Sequence, residues 1–220
     1  MGHWIDLETP HGTIAAWRCD PPGPMHGALV VVQEIFGVNA HIRGVADRFA
    51  AAGFTVLAPA LFDPVERGVQ LDYDDPGVAK GRELTSALGF DRAVALVDAA
   101  ADELRSEGLR TGAVGFCWGG TIAFLANTRL GLPAVSYYGG RTVPFLDEAA
   151  RAPMLFHFGQ QDPIISPDAV AAHRARQPAA DIHVYPAGHG FNCEARHDYD
   201  PDSAALAWQR TTAFLEEALR

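Results

Sequence analysis

The chain has 220 residues, 48% of them hydrophobic and 20% charged, enough for one well-buried domain and rather short for two. Its net charge of −10 argues against the clustered basic face that a nucleic acid or an anionic membrane surface would need. No apolar run approaches the roughly 18 residues of a membrane helix, and the polar start MGHWIDLETPHG lacks the apolar core of a secretory signal.

Taken in chain order, HWIDL and TIAAW around Pro10-His11-Gly12 predict a small antiparallel hairpin. After the linker DPPGPMHG comes ALVVVQ, a continuous apolar run suited to a strand buried on both faces. HIRGVADRFAAAG has helical periodicity with Gly53 as its stop, and FTVLAP is the next strand. Residues 60 to 77, rich in Asp, Pro and Gly, read as a loop. A long helical region runs from about Val78 to Glu107 and breaks near Gly89. The remainder alternates: strand GAVGF, helix WGGTIAFLANTRL, strands AVSYYG and PMLFHFG, helix PDAVAAHRARQ, strand DIHVYP, and helix DSAALAWQRTTAFLEEAL. Strands alternating with helices imply a mostly parallel, doubly wound α/β sheet, here as one domain over residues 1–220. In such sheets the loops after the strands carry the ligand site.

Gly115-Phe116-Cys117-Trp118-Gly119 is G-x-C-x-G between a predicted strand and a predicted helix, the spacing of a nucleophile elbow with cysteine for serine. A buried structural cysteine is the plainer alternative. Asp162, after PMLFHFG, also fits ordinary Asp-Pro turn chemistry, and His189, between glycines after DIHVYP, also fits a loop. Their joint placement changes the reading. Nucleophile, acid and histidine fall in the chain order of an α/β-hydrolase, each just past its own strand. Glu34 follows ALVVVQ in an apolar setting; buried, it must meet a donor such as a thiol, Arg or His, and a solvated loop position is the alternative. Ile35 stands where the second oxyanion-hole N–H would arise, with the N–H of Trp118 as the first.

QEIFGVN, GFCWGG, the Asp after HFG, and GHGF followed by an aromatic-rich C-terminal helix resemble the dienelactone hydrolase family over essentially the whole chain. The resemblance implies a compact, lidless α/β-hydrolase fold. It implies Cys117, Asp162 and His189 as the triad, Ile35 and Trp118 as the oxyanion hole, and Glu34 holding the thiol and taking part in its deprotonation. Phe36, Phe191, Lys80 and Arg82 are the candidate substrate-binding residues. The pattern is broken at one place: where dienelactone-cleaving members carry an arginine two residues past the GHxF phenylalanine, this chain has Cys193. Lys80 or Arg82 stands near the position of their other arginine.

A thiolate leaves a tetrahedral intermediate more readily than an amine or a simple alkoxide does, so a cysteine nucleophile favours enol, phenol or thiol leaving groups. The expected activity is hydrolysis of activated esters or lactones, small molecules, through a thioester acyl-enzyme. Alternatives are a general carboxylesterase or thioesterase on neutral substrates, and a hydrolase-like fold that only binds a small molecule. No cofactor is expected, and no metal, since there is no HExxH and no histidine pair at ligand spacing. Three cysteines without CxxC spacing suit a reducing compartment, so the cytoplasm is the expected location. The oligomeric state stays open, a monomer included.

Overall fold

The computed structural model describes residues 2–220, which gather into two compact units. The first covers residues 2–112 with Leu219–Arg220, the second Ala113–Ala218. In the first, strands β1 (His3–Leu7) and β2 (Ile14–Cys19) pair antiparallel, Leu7 opposite Ile14. β2 runs antiparallel to β4 (Phe54–Pro59), which pairs in parallel with β3 (Gly27–Val32), giving the order β1-β2-β4-β3. β4 is buried at every position and β3 at all but its first, as expected for unbroken apolar runs covered on both faces.

Helix α1 (Ala40–Ala51) joins β3 to β4. Asn39 caps it by accepting from the N–H of Ile42, and Gly53, at φ 98°, follows its end. The long helical region is two helices, α2 (Asp75–Leu88) and α3 (Phe90–Ser106), parted at Gly89 with φ 76°. α2 begins three residues earlier than its apolar periodicity indicates, because Asp74 accepts from the N–H of Gly77 and Pro76 suits the first turn.

Strand β5 (Thr111–Phe116) leads into the second unit, where β5, β6 (Ala134–Tyr137), β7 (Met154–Gly159) and β8 (Asp181–Tyr185) pair in parallel in that order. Their connections carry α4 (Trp118–Leu125) and α5 (Pro167–Arg176), and α6 (Pro201–Ala218) follows β8. One helix differs from expectation. WGGTIAFLANTRL is α-helical only to Leu125 and then widens into a π-helical turn over Ala126–Leu130. The turn coincides with buried Asn127, whose amide donates to the carbonyls of Leu132, Ala152 and Pro153 and accepts from the N–H of Arg151. Among the described residues no helix is long and apolar enough to cross a membrane.

Candidate active site

The second unit gathers three chemically distinct side chains at the carboxyl ends of its parallel strands. Cys117 follows β5 directly, with φ 55° and ψ −117°, a conformation that side-chain-bearing residues rarely adopt and that costs on the order of 1–3 kcal/mol. Its neighbours enforce that turn. A Cβ on Gly115 would lie 1.9 Å from the carbonyl oxygen of Gly119, so only glycine lets strand and helix approach so closely. The Cys117 N–H donates to the Tyr137 carbonyl at 3.0 Å, and the Cys117 carbonyl accepts from Gly120 at 3.0 Å. The side chain makes no capping bond, so its sulfur stands at the positive end of α4 with part of the residue open to solvent.

The two carboxylate oxygens of Asp162 have different partners. Oδ1 accepts from the N–H groups of Ile164 at 2.8 Å and Ile165 at 3.2 Å, the expected turn chemistry. Oδ2 lies 2.7 Å from Nδ1 of His189. The other ring nitrogen, Nε2, is 3.2 Å from Sγ of Cys117. Both partners are buried, His189 at 3% and Asp162 at 7% exposure. Burial pulls the imidazole pKa down, but the interactions with Cys117 and with the Asp162 carboxylate outweigh it and push His189 up to about 10. The arrangement therefore favours a protonated imidazole whose Nε2 faces the Cys117 sulfur at 3.2 Å. Trp118, whose N–H is the expected oxyanion donor, is the first residue of α4.

The ring of Tyr138 lies against the imidazole, centroids 5.2 Å apart at 60°. Phe191 packs on Tyr138 at 5.4 Å and Tyr185 at 5.1 Å and is 0% exposed. This corrects one expectation: Phe191 supports the His189 loop from within the core and presents no surface to a substrate.

In the first unit, Glu34 and Ile35 follow β3. Glu34 is buried, and one donor to it lies outside the expected thiol, Arg or His: the hydroxyl of Tyr73 donates to Oε2 at 2.8 Å. No motif marks Tyr73, which lies in a loop 39 positions away from Glu34. Phe36 is 2% exposed and packs on Tyr73 at 4.5 Å, so it too serves packing. A Cβ on Gly81 would lie 2.3 Å from the Ile35 carbonyl oxygen, which seats α2 directly against that turn. Lys80 is ion-paired with Glu66 at 2.8 Å and Glu83 at 3.2 Å, so its charge is largely offset, while Arg82 is exposed. The other cysteines differ from Cys117. Cys19 donates to Asp47 at 3.0 Å, and burial, then that carboxylate, push its thiol up to about 12. Cys193 is fully buried.

The pattern of the Dienelactone hydrolase family matches residues 14–219. A carboxymethylenebutenolidase of Pseudomonas putida is 30% identical over 215 residues, covering 93% of this chain and 90% of that protein. The crystal structure of a provisionally named dienelactone hydrolase of Klebsiella pneumoniae superposes with a TM-score of 0.85 at 30% identity, covering 98% of each chain. An esterase of Pyrococcus furiosus shares the fold, at a TM-score of 0.72 and 14% identity over 100% of this chain and 94% of the other. Strand order, elbow and likeness converge on an α/β-hydrolase fold, and the chain belongs to the dienelactone hydrolase family, hydrolases of ester and lactone bonds.

Proposed function

We propose that the protein hydrolyses activated esters or lactones through a thioester formed on Cys117. The observation that carries this reading is the continuous array from Sγ to Nε2 at 3.2 Å and from Nδ1 to Oδ2 at 2.7 Å, mounted on a strained elbow. The thiolate adds to the carbonyl carbon while charge developing on the carbonyl oxygen is met by the Trp118 N–H. His189 then protonates the departing alcohol, enol or thiol, leaving the acyl group on sulfur. In the second half His189 takes a proton from water, hydroxide character attacks the thioester, and the thiolate leaves with its imidazolium partner restored. Asp162 fixes the tautomer and the ring direction. The roles that the family likeness gives Glu34 and Ile35, partner of the thiol and second oxyanion donor, belong to the same proposal.

A neutral substrate fits better than an anionic dienelactone. Lys80 already faces two carboxylates, and Cys193 stands at the position where the family's dienelactone-cleaving members carry an arginine. Losing one charge-assisted contact costs roughly 1.5–3 kcal/mol, on the order of ten- to a hundred-fold in kcat/KM. The test is a panel of aryl acetates, thioesters and dienelactone with wild type, Cys117→Ala, Lys80→Ala and Arg82→Ala. Neutral aryl esters should be the better substrates, and Cys117→Ala should abolish turnover of all of them. A Cys117→Ala protein that keeps most of its rate would end the cysteine mechanism. A wild type that prefers dienelactone would end the neutral-substrate reading alone.

A further inference from the structure

Among the described residues only two other than glycine have positive φ: Cys117 at 55° and Tyr138 at 41°. The first is explained by the elbow. For a bulky aromatic residue the second is a true outlier, and strain of this kind persists only where the surroundings impose it. The surroundings are visible. The Tyr138 N–H continues the strand pairing by donating to the His157 carbonyl at 2.8 Å, so the chain is still held to β7 at this residue. At the next residue it must already press against α4, since a Cβ on Gly139 would lie 3.0 Å from the backbone of Gly120 and Thr121. The reversal is left to Tyr138. A glycine there would make it without strain, yet the chain carries a 0%-exposed aromatic ring.

That ring ends on the triad. It meets the imidazole of His189 edge-to-face at 5.2 Å and is backed by Phe191 at 5.4 Å and Phe116 at 6.4 Å. The adjoining Tyr137 carbonyl receives the Cys117 N–H, so one short segment at the end of β6 touches both nucleophile and base.

We infer that Tyr138 is a positioning residue for His189: the strained turn after β6 holds its ring as a wall that keeps the imidazole in line between Asp162 and Cys117. The inference rests on reading His189 as the proton carrier. A loosened ring would spend less time with Nε2 facing the sulfur, which lowers the chemical step and leaves substrate binding largely alone.

Three substitutions test it on an aryl ester. Tyr138→Phe keeps the ring and should stay within about two-fold of wild type. Tyr138→Leu keeps bulk and strain without the ring. Tyr138→Asn suits the left-handed backbone, which protects folding, but also lacks the ring. Both should lower kcat by roughly ten- to a hundred-fold with KM within about three-fold, a misalignment effect. The pH profile of Cys117 alkylation by iodoacetamide should move in the Leu and Asn variants and match wild type in the Phe variant. Wild-type kcat and pH profile in both Leu and Asn variants would overturn the inference, as would a Phe variant as slow as the Leu variant. A His189→Ala protein hydrolysing at the wild-type rate would instead end the reading of His189, a result independent of Tyr138.

Discussion

Gly115→Ala isolates the contact that builds the elbow. The added methyl carbon would stand 1.9 Å from the Gly119 carbonyl oxygen and 2.4 Å from its carbon, both backbone atoms that no side-chain rotation can clear. A carbon–oxygen contact of this kind settles at about 3.3 Å, so β5 and α4 must part by about 1.4 Å or the turn between them must distort. Overpacking of this sort costs about 1–3 kcal/mol, equivalent to about 2–12 °C in Tm for a chain of this size. The chemical effect should be larger than the stability effect. Cys117 lies between the two elements, and its sulfur reaches His189 at 3.2 Å, so a displacement of about 1 Å removes that contact and costs on the order of a hundred-fold in rate. Differential scanning calorimetry and aryl-ester kinetics on purified Gly115→Ala measure both. Gly44→Ala is the control, since a Cβ there meets nothing within 4 Å and it lies inside α1, where alanine is the better helix former. A Gly115→Ala protein that melts with wild type and hydrolyses at the wild-type rate would refute the claim that this contact shapes the nucleophile's turn.

The raised pKa of His189 has a signed consequence. Its folded value, pushed up to about 10, lies above the ordinary histidine value of about 6.5, so the stability it contributes is complete below about pH 6.5 and is lost as pH rises through about 10. The alkaline limb of kcat/KM should accordingly fall near pH 10, and a limb near pH 7 in a pH–rate profile would contradict the ion pair. Tyr73→Phe removes the hydroxyl that donates to Glu34 at 2.8 Å; since Tyr73 is only half-buried, a loss of about 1–2 kcal/mol, or roughly 2–8 °C in Tm, is expected, and an unchanged melting curve would count against it. A limiting dose of iodoacetamide should label Cys117 before Cys19 or Cys193, read by peptide mass spectrometry, because Cys19 is held protonated by burial and Asp47 and Cys193 is fully buried; first label on either would overturn that ordering.

What could be read from the chain alone was whatever depends on near neighbours. ALVVVQ, FTVLAP and PMLFHFG announce buried strands because a strand covered on both faces needs apolar residues at consecutive positions. The elbow is legible because strand, glycine, cysteine, glycine and helix are contiguous, and Asp162 and His189 because each follows a strand at its carboxyl end. Tertiary structure alone decided the contacts made between segments far apart in sequence. Glu34 finds Tyr73 in a loop that no periodicity marks, and Phe36 and Phe191, placed by motif beside a substrate, are buried by rings from other elements. Lys80 has its charge offset by Glu66, 14 positions away in an irregular segment. Tyr138 takes its strained conformation because β7 and α4 press it from two sides. Patterning reports whether a residue is buried; which side chain it meets there depends on how the chain folds back, and no local interaction encodes that.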